Sequence, residues 1–465
     1  MFVIGSNTTE AHPVIGTKMK QALARGAKLI VADPREIDLA KDAHIWLRLK
    51  PGTDIALING IMNIILENGW EDKAFIEERT EGFEELRENL KKFPPEKVSQ
   101  ITGVPLELLV EAARLYASHE KAAIFYTLGI TEHVCGTDNV RSLANLAMLT
   151  GHLGKESSGV NPLRGQNNVQ GSCDMGALPN VFTGYQSVTN PEAQEKFEKA
   201  WGVKLSSKVG YMIPDMFDSA VKKELRAMYI MGEDPVLTDA DANHVRKGLQ
   251  ALDFLVVQNI FMSETAKLAD VILPGASFAE KDGTFTNTER RVQRVRRAIK
   301  PIGNAKADWE IICELSNRMG YPMNYQSPAE IMDEIASLTP QYAGISYERL
   351  GNKGLQWPVP HKDHPGTKFL HEGKFTRGKG LFAVVDYELP NELPDEEYPF
   401  LLTTGRKLQH YNISTRFSPA LEEHAPEELA EINPVDAKRL GIQDGDKVKV
   451  VSRRGEVVTK VWITE

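Results

Sequence analysis

The sequence predicts an α/β protein with two parallel-sheet domains of the nucleotide-binding type and a β-barrel at its C-terminal end. Two observations predict the α/β part: apolar runs alternate with helical segments near the N-terminus, and the same alternation returns after residue 225. A third observation predicts the barrel, because the last strands follow one another without a helix between them. The length of 465 residues is compatible with about three domains.

The first domain begins with a strand, a helix and a second strand joined by short loops. The apolar run of residues 2–5 is followed by a helix over 12–25, which Gly26 ends, and by an apolar strand over 28–33. This βαβ order implies a parallel sheet covered by helices. Ligands of such sheets lie beyond the carboxyl ends of the strands. We therefore expect polar side chains after each strand to form a binding edge.

Helices fill most of the chain between the second strand and residue 120. We predict helices over 54–66, 72–92 and 105–119, the last with proline at its first turn, and a further strand over 122–126. No GxGxxG motif accompanies these elements, so the nucleotide-binding character rests on the strand order and on Asp33, at the end of the second strand, where nucleotide folds place a ribose contact. The alternative is an ordinary aspartate at a strand end.

The second domain repeats the alternation of apolar strands and helical segments, and the C-terminal part contains further strands. The predicted elements are strands over 226–231, 254–258, 270–274 and 400–405, helices over 245–252, 307–319 and 328–337, and a Gly/Pro/His-rich connector around 351–380. Residues 448–452 and 457–463 alternate apolar and polar side chains around an Arg453-Arg-Gly-Glu turn, which predicts a hairpin.

Composition excludes several classes of function. With 55 basic and 64 acidic residues the formal net charge is −9, which argues against a nucleic-acid partner or an anionic membrane surface. No stretch approaches about 18 apolar residues, so membrane insertion is not expected. The start lacks the basic region of a secretory signal. Cys135, Cys173 and Cys313 are far apart without a CxxC motif, which predicts no metal site within this chain and a reducing, cytoplasmic location.

A glycine-rich and amide-rich segment carries the strongest chemical signal. The segment from Gly129 to Gly176 contains eight glycines, counting both ends, and within it Arg164 is followed by Gly-Gln-Asn-Asn-Val-Gln. Burying such a loop is unfavourable unless polar groups pair with it. One interpretation is a solvated turn. The other is a loop around a large, heteroatom-rich cofactor, with Arg164 clamping a carboxylate through its planar guanidinium.

The segment from Asn161 to Gly176 resembles the substrate-arginine segment of molybdenum- or tungsten-dependent formate dehydrogenase alpha subunits. These belong to the molybdopterin oxidoreductase (dimethyl sulfoxide reductase-like) superfamily. The resemblance covers nearly the whole chain. Its other motifs are superfamily-wide: residues 4–7, 32–35, 229–235, 256–261, 269–274, 283–293, 308–309, 431–436 and 441–446.

The resemblance implies a bis(molybdopterin guanine dinucleotide) cofactor holding Mo or W. One dinucleotide would contact the first domain, at Asn7, Glu10, Asp33, Arg35 and Gly52. Loops facing the pterin would carry Leu128, Glu132 and Gln166. The other dinucleotide would contact Asp234, Thr238, Gln258, Asn259 and Asp308. A loop of the last domain would contribute Arg406, Lys407, His410, Tyr411 and Asn412. Glu10 and Asn259 stand where aspartate is common in the family.

The resemblance also implies how the chain is divided. We expect a first dinucleotide-binding domain over 1–166, a second over 167–277, a mixed helical and connector region over 278–380, and an incomplete double-psi β-barrel over 381–465. The family's [4Fe–4S] cluster and its cysteine or selenocysteine metal ligand would lie upstream of Met1. One hypothesis is a selenocysteine codon read as a stop, with translation assigned from the next methionine.

Three functions stay open at this stage. The first is a formate dehydrogenase catalytic subunit, with Arg164 as the catalytic residue that holds formate so that it is oxidised to CO2. Its partners would be iron–sulfur electron-transfer or hydrogenase-type subunits. The second is another enzyme on the same scaffold, such as a nitrate reductase or the large subunit of a complex-I-like assembly. The third is a non-catalytic, pterin-binding subunit that is inactive alone.

Overall fold

A five-stranded parallel sheet organises one of the two compact units into which the chain divides. The structure, a computed structural model, describes residues 1–412 and 414–465. Unit 1 comprises Met1–Gly165 together with Lys368–Glu465, and unit 2 comprises Gln166–Thr367. The four predicted domain ranges stay a prediction.

The N-terminal part of unit 1 alternates strands and helices. In chain order its elements are β1 (Phe2–Ile4), α1 (Thr8–Ala11), α2 (Pro13–Ala24), β2 (Ile30–Ala32), α3 (Asp38–Lys41), β3 (Ile45–Leu47), α4 (Asp54–Glu67), α5 (Lys73–Arg79), β4 (Thr80–Glu81), α6 (Phe83–Leu90), α7 (Pro95–Thr102), α8 (Leu106–Ala117), β5 (Ala123–Tyr126), α9 (Leu128–Thr131), α10 (Gly136–Leu149) and β6 (Gly159–Pro162). The strand order is β3-β2-β1-β5-β6, which confirms the predicted parallel sheet.

Helices cover both faces of this sheet, and this explains why its strands read as unbroken apolar runs. Side chains of β1 alternate between two cores: Phe2 and Ile4 pack with α4, α8 and α10 on one face, and Val3 packs on the other. All three are buried, with at most 1% of each side chain exposed. The predicted strands over 2–5, 28–33 and 122–126 are therefore confirmed.

The predicted helix over 72–92 is wrong as a single element. It is divided into α5 and α6 by the short strand β4 and by Gly82, whose φ of +78° is left-handed. β4 pairs with β15 (Gly380–Leu381), about 300 residues further along the chain. The helical periodicity of this segment carries no sign of so distant a partner.

Unit 2 contains a second, smaller parallel sheet. Its elements are α11 (Val169–Asp174), β7 (Val181–Phe182), β8 (Gln186–Ser187), α12 (Pro191–Trp201), α13 (Ile213–Val221), β9 (Ala227–Met231), α14 (Pro235–Thr238), α15 (Ala242–Ala251), β10 (Phe254–Asn259), β11 (Val271–Pro274), β12 (Gly283–Thr286), β13 (Arg291–Val295), α16 (Asp308–Arg318), α17 (Pro328–Leu338), α18 (Tyr347–Leu350) and β14 (Leu355–Gln356). The order β11-β10-β9 is parallel throughout, and β12-β13-β14 is antiparallel. The predicted second αβ layer is confirmed.

A three-stranded sheet forms the C-terminal part of unit 1, where the incomplete barrel is predicted. Its elements are α19 (Pro419–His424), β16 (Leu429–Ile432), α20 (Pro434–Leu440), β17 (Lys447–Val451) and β18 (Glu456–Ile463). The predicted hairpin is confirmed, because β17 pairs antiparallel with β18. The predicted strand over 400–405 is wrong: these residues lie outside any ladder, and Leu402 is 79% exposed. Within residues 1–412 and 414–465, no helix is both long and apolar enough to span a bilayer.

Candidate functional site

The carboxyl ends of the strands in unit 1 bring several predicted site residues to one edge of the sheet. Asn7 follows β1, Asp33 follows β2, Leu128 follows β5 and Arg164 follows β6. These strands are parallel, so the residues after them meet at the same edge. This edge is the candidate site of unit 1.

Two glycines hold the loops after β1 and β5 together. Gly5 has φ +56°, and a Cβ atom there would lie 2.7 Å from the carbonyl carbon of Gly129. A Cβ atom on Gly129 would lie 2.6 Å from the Cα of Gly5. The backbone of Gly129 and the hydroxyl of Thr127 both donate to the carbonyl oxygen of Gly5, at 3.2 and 2.8 Å. Side chains at either position would separate the loops, so the edge depends on both glycines.

Asp33 gives this edge a buried carboxyl group. Its side chain is 8% exposed and accepts a hydrogen bond from the backbone N–H of Arg35 at 2.9 Å. Burial raises the pKa of Asp33 from 3.8 to about 6, against the lowering effect of that hydrogen bond and of the Arg35 charge. Burial also raises the pKa of Asp54, the first residue of α4, against the opposing charge of His133. Such acceptors suit the N–H and hydroxyl donors of a nucleotide.

The remaining residues predicted for the first dinucleotide differ in burial. Asn7 and Glu10 are half-buried, Asn7 as the residue before α1 and Glu10 within it. Gly52 has φ +80°, and a Cβ atom there would lie 2.6 Å from the Cγ of Pro390. Leu128 and Glu132 are exposed. Gln166 is exposed at the start of unit 2.

Arg164 is half-buried at the carboxyl end of β6, and His12 contacts its backbone. The Nε2 atom of His12 lies 2.6 Å from the carbonyl oxygen of Arg164. Burial lowers the pKa of His12 and the Arg406 charge lowers it further, although the hydrogen bond to Arg164 opposes both. Burial raises the pKa of Tyr126, an effect that the Arg164 charge opposes. In the sequence, His12 marks only the start of a helix, and no local pattern indicates its contact with Arg164.

The predicted C-terminal loop is ordered by its own side chains. Arg406 donates to the carbonyl oxygen of His410 at 2.9 Å and to the side-chain oxygen of Asn412 at 2.7 Å. Lys407 donates to the carbonyl oxygen of Glu427, and His410 Nε2 lies 2.7 Å from that of Ala425. Burial raises the pKa of Tyr411, against the opposing charge of Arg406. These hydrogen bonds fix the conformation of the loop that carries the cations Arg406 and Lys407 and the hydroxyl of Tyr411.

Arg35 connects this loop with the sheet edge inside unit 1. Its guanidinium lies so close to Gly405 that a Cβ atom there would be 2.1 Å from Nη1. The same guanidinium donates to the carboxylate of Glu431 at 2.8 Å. Arg35 and Arg406 therefore bring two positive charges to the loop, and their guanidinium groups match phosphate oxygens in geometry.

The amide-rich segment continues into unit 2 as an anchored loop. Asn168 has φ +65° and accepts a hydrogen bond from the backbone of Thr286 at 2.9 Å. Gln170 donates to the carboxylate of Asp174 at 2.8 Å. These bonds exclude a solvated turn for the second half of the segment.

Asp174 is the centre of that anchor. Its carboxylate is 1% exposed and accepts four hydrogen bonds. Besides Gln170, the donors are the hydroxyls of Tyr185 and Tyr342, at 2.8 and 2.7 Å, and the indole N–H of Trp357 at 2.7 Å. A buried carboxylate with this many donors fixes the end of α11 in position.

The carboxyl ends of β9 and β10 form a separate candidate site within unit 2. Asp234 is 3% exposed and accepts from the backbone and the hydroxyl of Thr265 at 2.9 and 2.7 Å. Its carboxylate therefore holds the loop after β10. Thr238 donates to the backbone oxygen of Asp234 at 3.3 Å. Asn259 donates to the backbone oxygen of Glu233 at 3.4 Å.

A row of hydrogen-bonded polar side chains lies at the carboxyl end of β10. Gln258 is 1% exposed and donates to the carboxylate of Asp308 at 2.6 Å. Lys281 forms an ion pair with the same carboxylate, and the Tyr229 hydroxyl donates to Gln258. Lys281 and Tyr229 were missed by the sequence analysis, because only the fold reveals their proximity to the predicted pair. These contacts fix the Asp308 carboxylate at the carboxyl end of β10.

Two protein-family models together match most of the chain. Residues 1–318 match the molybdopterin oxidoreductase family, and residues 400–465 match the molybdopterin dinucleotide-binding domain. The first match contains β1 to β6 and the parallel sheet β11-β10-β9 of unit 2, and the second contains the Arg406 loop. The candidate sites of unit 1 and of unit 2 thus fall within matched segments.

Curated relatives match the whole chain. The chain is 51% identical over 471 residues to the F420-dependent formate dehydrogenase subunit alpha of Methanocaldococcus jannaschii. The match covers 100% of this chain and 70% of that protein. It is 45% identical to formate dehydrogenase H of Escherichia coli, covering 100% of this chain and 66% of that protein. Among solved structures, acetylene hydratase from Pelobacter acetylenicus superposes with a TM-score of 0.77 and 24% identity, covering 100% of this chain and 68% of that one. That likeness concerns the fold alone.

Proposed function

The chain belongs to the molybdopterin oxidoreductase family, and from this premise we propose that it is the catalytic subunit of a formate dehydrogenase. The observation that carries the proposal is Arg164, a half-buried arginine at the carboxyl end of β6 in a chain 45–51% identical to formate dehydrogenase alpha subunits. Its partners would be iron–sulfur electron-transfer or hydrogenase-type subunits in the cytoplasm.

The residues at the two sheet edges fit molybdopterin guanine dinucleotides. In unit 1, the buried Asp33 offers an acceptor, Arg35 and Arg406 offer cations for phosphate, and Gly5 lets backbone approach closely. The buried Nδ1 atom of His12 has no hydrogen-bond partner among the described residues, so a ligand donor could satisfy it.

In unit 2, Gln258 and Asp308 offer buried and half-buried polar groups at the end of a parallel strand. This is where open α/β sheets bind nucleotides. We assign one dinucleotide to each unit, with the residues of the first set in unit 1 and those of the second set in unit 2.

Arg164 binds the formate carboxylate in this proposal. A guanidinium stays charged at every physiological pH and presents paired N–H donors that match a carboxylate. The nearby positive charge of Arg406 adds attraction for an anion. Fixing the carboxylate orients the formate C–H bond and removes the freedom of a bimolecular encounter.

The reaction breaks the C–H bond of formate and releases CO2, one proton and two electrons. When bound, the Mo or W ion held by the dinucleotides supplies the two-electron acceptor. The chain's own residues bind and orient the anion: Arg164 holds the carboxylate, and His12 holds the backbone of Arg164. The electrons leave to an iron–sulfur partner.

The decisive experiment compares Arg164→Ala with Arg141→Ala in the assembled enzyme. Arg141 is an exposed arginine on α10 that pairs with Asp138, so it controls for the loss of one positive charge. We expect Arg164→Ala to lower formate-dependent viologen reduction by about 100-fold or more, with metal and pterin contents unchanged. Unchanged kinetics for this variant would contradict the proposal.

Substrate choice and cofactor content complete the test. Metal and pterin analysis of the purified chain, followed by dye assays with formate and with nitrate, separates the candidate functions. Turnover of formate supports the proposal, and turnover of nitrate alone would contradict it. Bound guanine dinucleotide in a chain that remains inactive after reconstitution with its partners would indicate a non-catalytic subunit.

A further inference from the structure

A cavity of about 480 Å³ opens in unit 2 beside residues that the proposed function does not use. Four aromatic side chains line it: Trp201 at the end of α12, Trp309 on α16, and Tyr321 and Tyr325 in the segment before α17. Its volume falls within the range of about 300–1,000 Å³ that small-molecule pockets occupy.

One carboxylate interrupts this aromatic wall. Glu334, on α17, is the only charged residue among the described residues that line the cavity. Its two oxygens accept hydrogen bonds from separate aromatic groups, the indole N–H of Trp201 at 2.9 Å and the hydroxyl of Tyr325. Both donors are neutral, so they fix the carboxylate in place without compensating its charge.

Among the described residues that line the cavity, none is a cation that would neutralise Glu334. In the part of the chain that the structure describes, no Lys, Arg or His nitrogen lies within 4 Å of its oxygens, although many surface carboxylates of the chain have such a partner. Burial raises the pKa of Tyr325, and the Glu334 carboxylate raises it further, so the Tyr325 hydroxyl stays a neutral donor to that carboxylate.

An aromatic wall and a fixed, uncompensated carboxylate together match one class of ligand. The faces of tryptophan and tyrosine attract an organic cation through their quadrupoles, and the carboxylate adds a formal charge of opposite sign. A neutral apolar ligand would leave that charge desolvated and unpaired, which is unfavourable. A bare metal ion requires several oxygen ligands, and the described residues contain no acidic, histidine or cysteine cluster that could hold one.

We propose that this cavity is a binding site for a small organic ammonium ion, held between Trp201, Trp309, Tyr321 and Tyr325 and paired with Glu334. The site is independent of formate oxidation. Trp309 follows Asp308 in the sequence, but the Asp308 carboxylate contacts Gln258 and Lys281 whereas Trp309 lines the cavity.

Calorimetric titration of the full 465-residue chain tests the proposal. The probe is choline, and the matched control is 3,3-dimethylbutan-1-ol, which has the same shape without the charge. We expect saturable binding of one choline per chain and at least tenfold weaker binding of the alcohol. Equal binding of the two, or no binding of choline across the millimolar range, would overturn the proposal.

Two variants assign the binding to the cavity. Glu334→Gln should weaken choline binding at least tenfold, whereas Asp333→Asn, an exposed neighbour on the same helix, removes one negative charge and should leave it unchanged. Because Glu334 also holds Trp201 and Tyr325, a second variant, Trp309→Leu, leaves those hydrogen bonds intact and should weaken binding severalfold. Wild-type affinity in both Glu334→Gln and Trp309→Leu would place the ligand elsewhere and overturn the proposal.

Discussion

The Nε2 atom of His12 lies 2.6 Å from the carbonyl oxygen of Arg164, so the start of α2 holds the backbone of the proposed substrate arginine. A carbonyl oxygen only accepts, so this ring nitrogen carries the proton and donates it. Since burial lowers the pKa of His12, the ring is neutral near pH 7. The contact is thus a neutral hydrogen bond that fixes position.

Replacing His12 should impair formate binding without removing the cofactor. His12→Ala frees the backbone of Arg164, and we expect kcat/KM for formate to fall about tenfold because a misplaced clamp loses orientation. His12→Gln, which keeps a donor, should recover part of the loss. His119→Ala, an exposed histidine at the end of α8, is the matched control. Loss of bound pterin in His12→Ala would indicate a structural role instead.

Asp33→Asn should stabilise the cofactor-free chain at neutral pH. The folded-state pKa of about 6 lies above the unfolded value near 3.8, so the folded state binds its proton more tightly. Ionisation of Asp33 therefore lowers the free energy of unfolding as pH rises from about 4 to about 6, by at most about 3 kcal/mol. The stability difference between variant and wild type should grow over this window and level off above it.

The same variant should bind less guanine dinucleotide, because the proposed contact loses its charge. Unfolding titrations at several pH values measure the first effect, and guanine nucleotide released per chain measures the second. Asp42→Asn, at an exposed carboxylate paired with Lys20, is the control. A stability difference that does not change with pH would show that Asp33 titrates normally.

Much of the fold follows from local sequence patterns. Strands β1, β2 and β5 are contiguous apolar runs because helices bury both faces of their sheet, and such runs are visible without a structure. Strand β9 is also an apolar run, although Ile230 is its one buried residue. The sequence does not predict the division of the helix at 72–92, because β4 pairs with β15, about 300 residues further along the chain. The apolar composition of residues 400–405 predicts a strand, and this prediction is wrong. A strand requires a neighbouring strand to bond with, and composition does not reveal one.

The candidate site was predicted through family resemblance more than through physics. The family is confirmed by matches over residues 1–318 and 400–465. The residues assigned to the cofactor stay predictions. His12, Tyr229 and Lys281 were missed, because each reaches a predicted residue only through the folded chain. A single histidine or lysine in a sequence carries no signal of such a contact.

The Asp174 anchor predicts unequal effects for two equivalent substitutions. Tyr342→Phe and Tyr185→Phe each remove one hydroxyl donor to the Asp174 carboxylate. Tyr342 is 2% exposed and Tyr185 is 41% exposed, so water can replace only the second donor. We expect Tyr342→Phe to lower the free energy of unfolding by about 1–3 kcal/mol and Tyr185→Phe by less than about 1 kcal/mol. Urea unfolding of the whole chain, followed by tryptophan fluorescence, measures both, and equal losses would contradict this role of burial.

Gly405→Ala should weaken dinucleotide binding while changing stability little. The new Cβ atom would lie 2.1 Å from Nη1 of Arg35, so the guanidinium must move and lose its 2.8 Å ion pair with Glu431. Both partners of that pair are about one-third exposed, so its loss should lower the free energy of unfolding by less than about 1 kcal/mol. Bound guanine dinucleotide per chain should fall severalfold, because Arg35 no longer lies beside the loop. Gly455→Ala, where a Cβ atom meets open space, is the matched control. Full cofactor content in Gly405→Ala would exclude Arg35 from the proposed phosphate contacts.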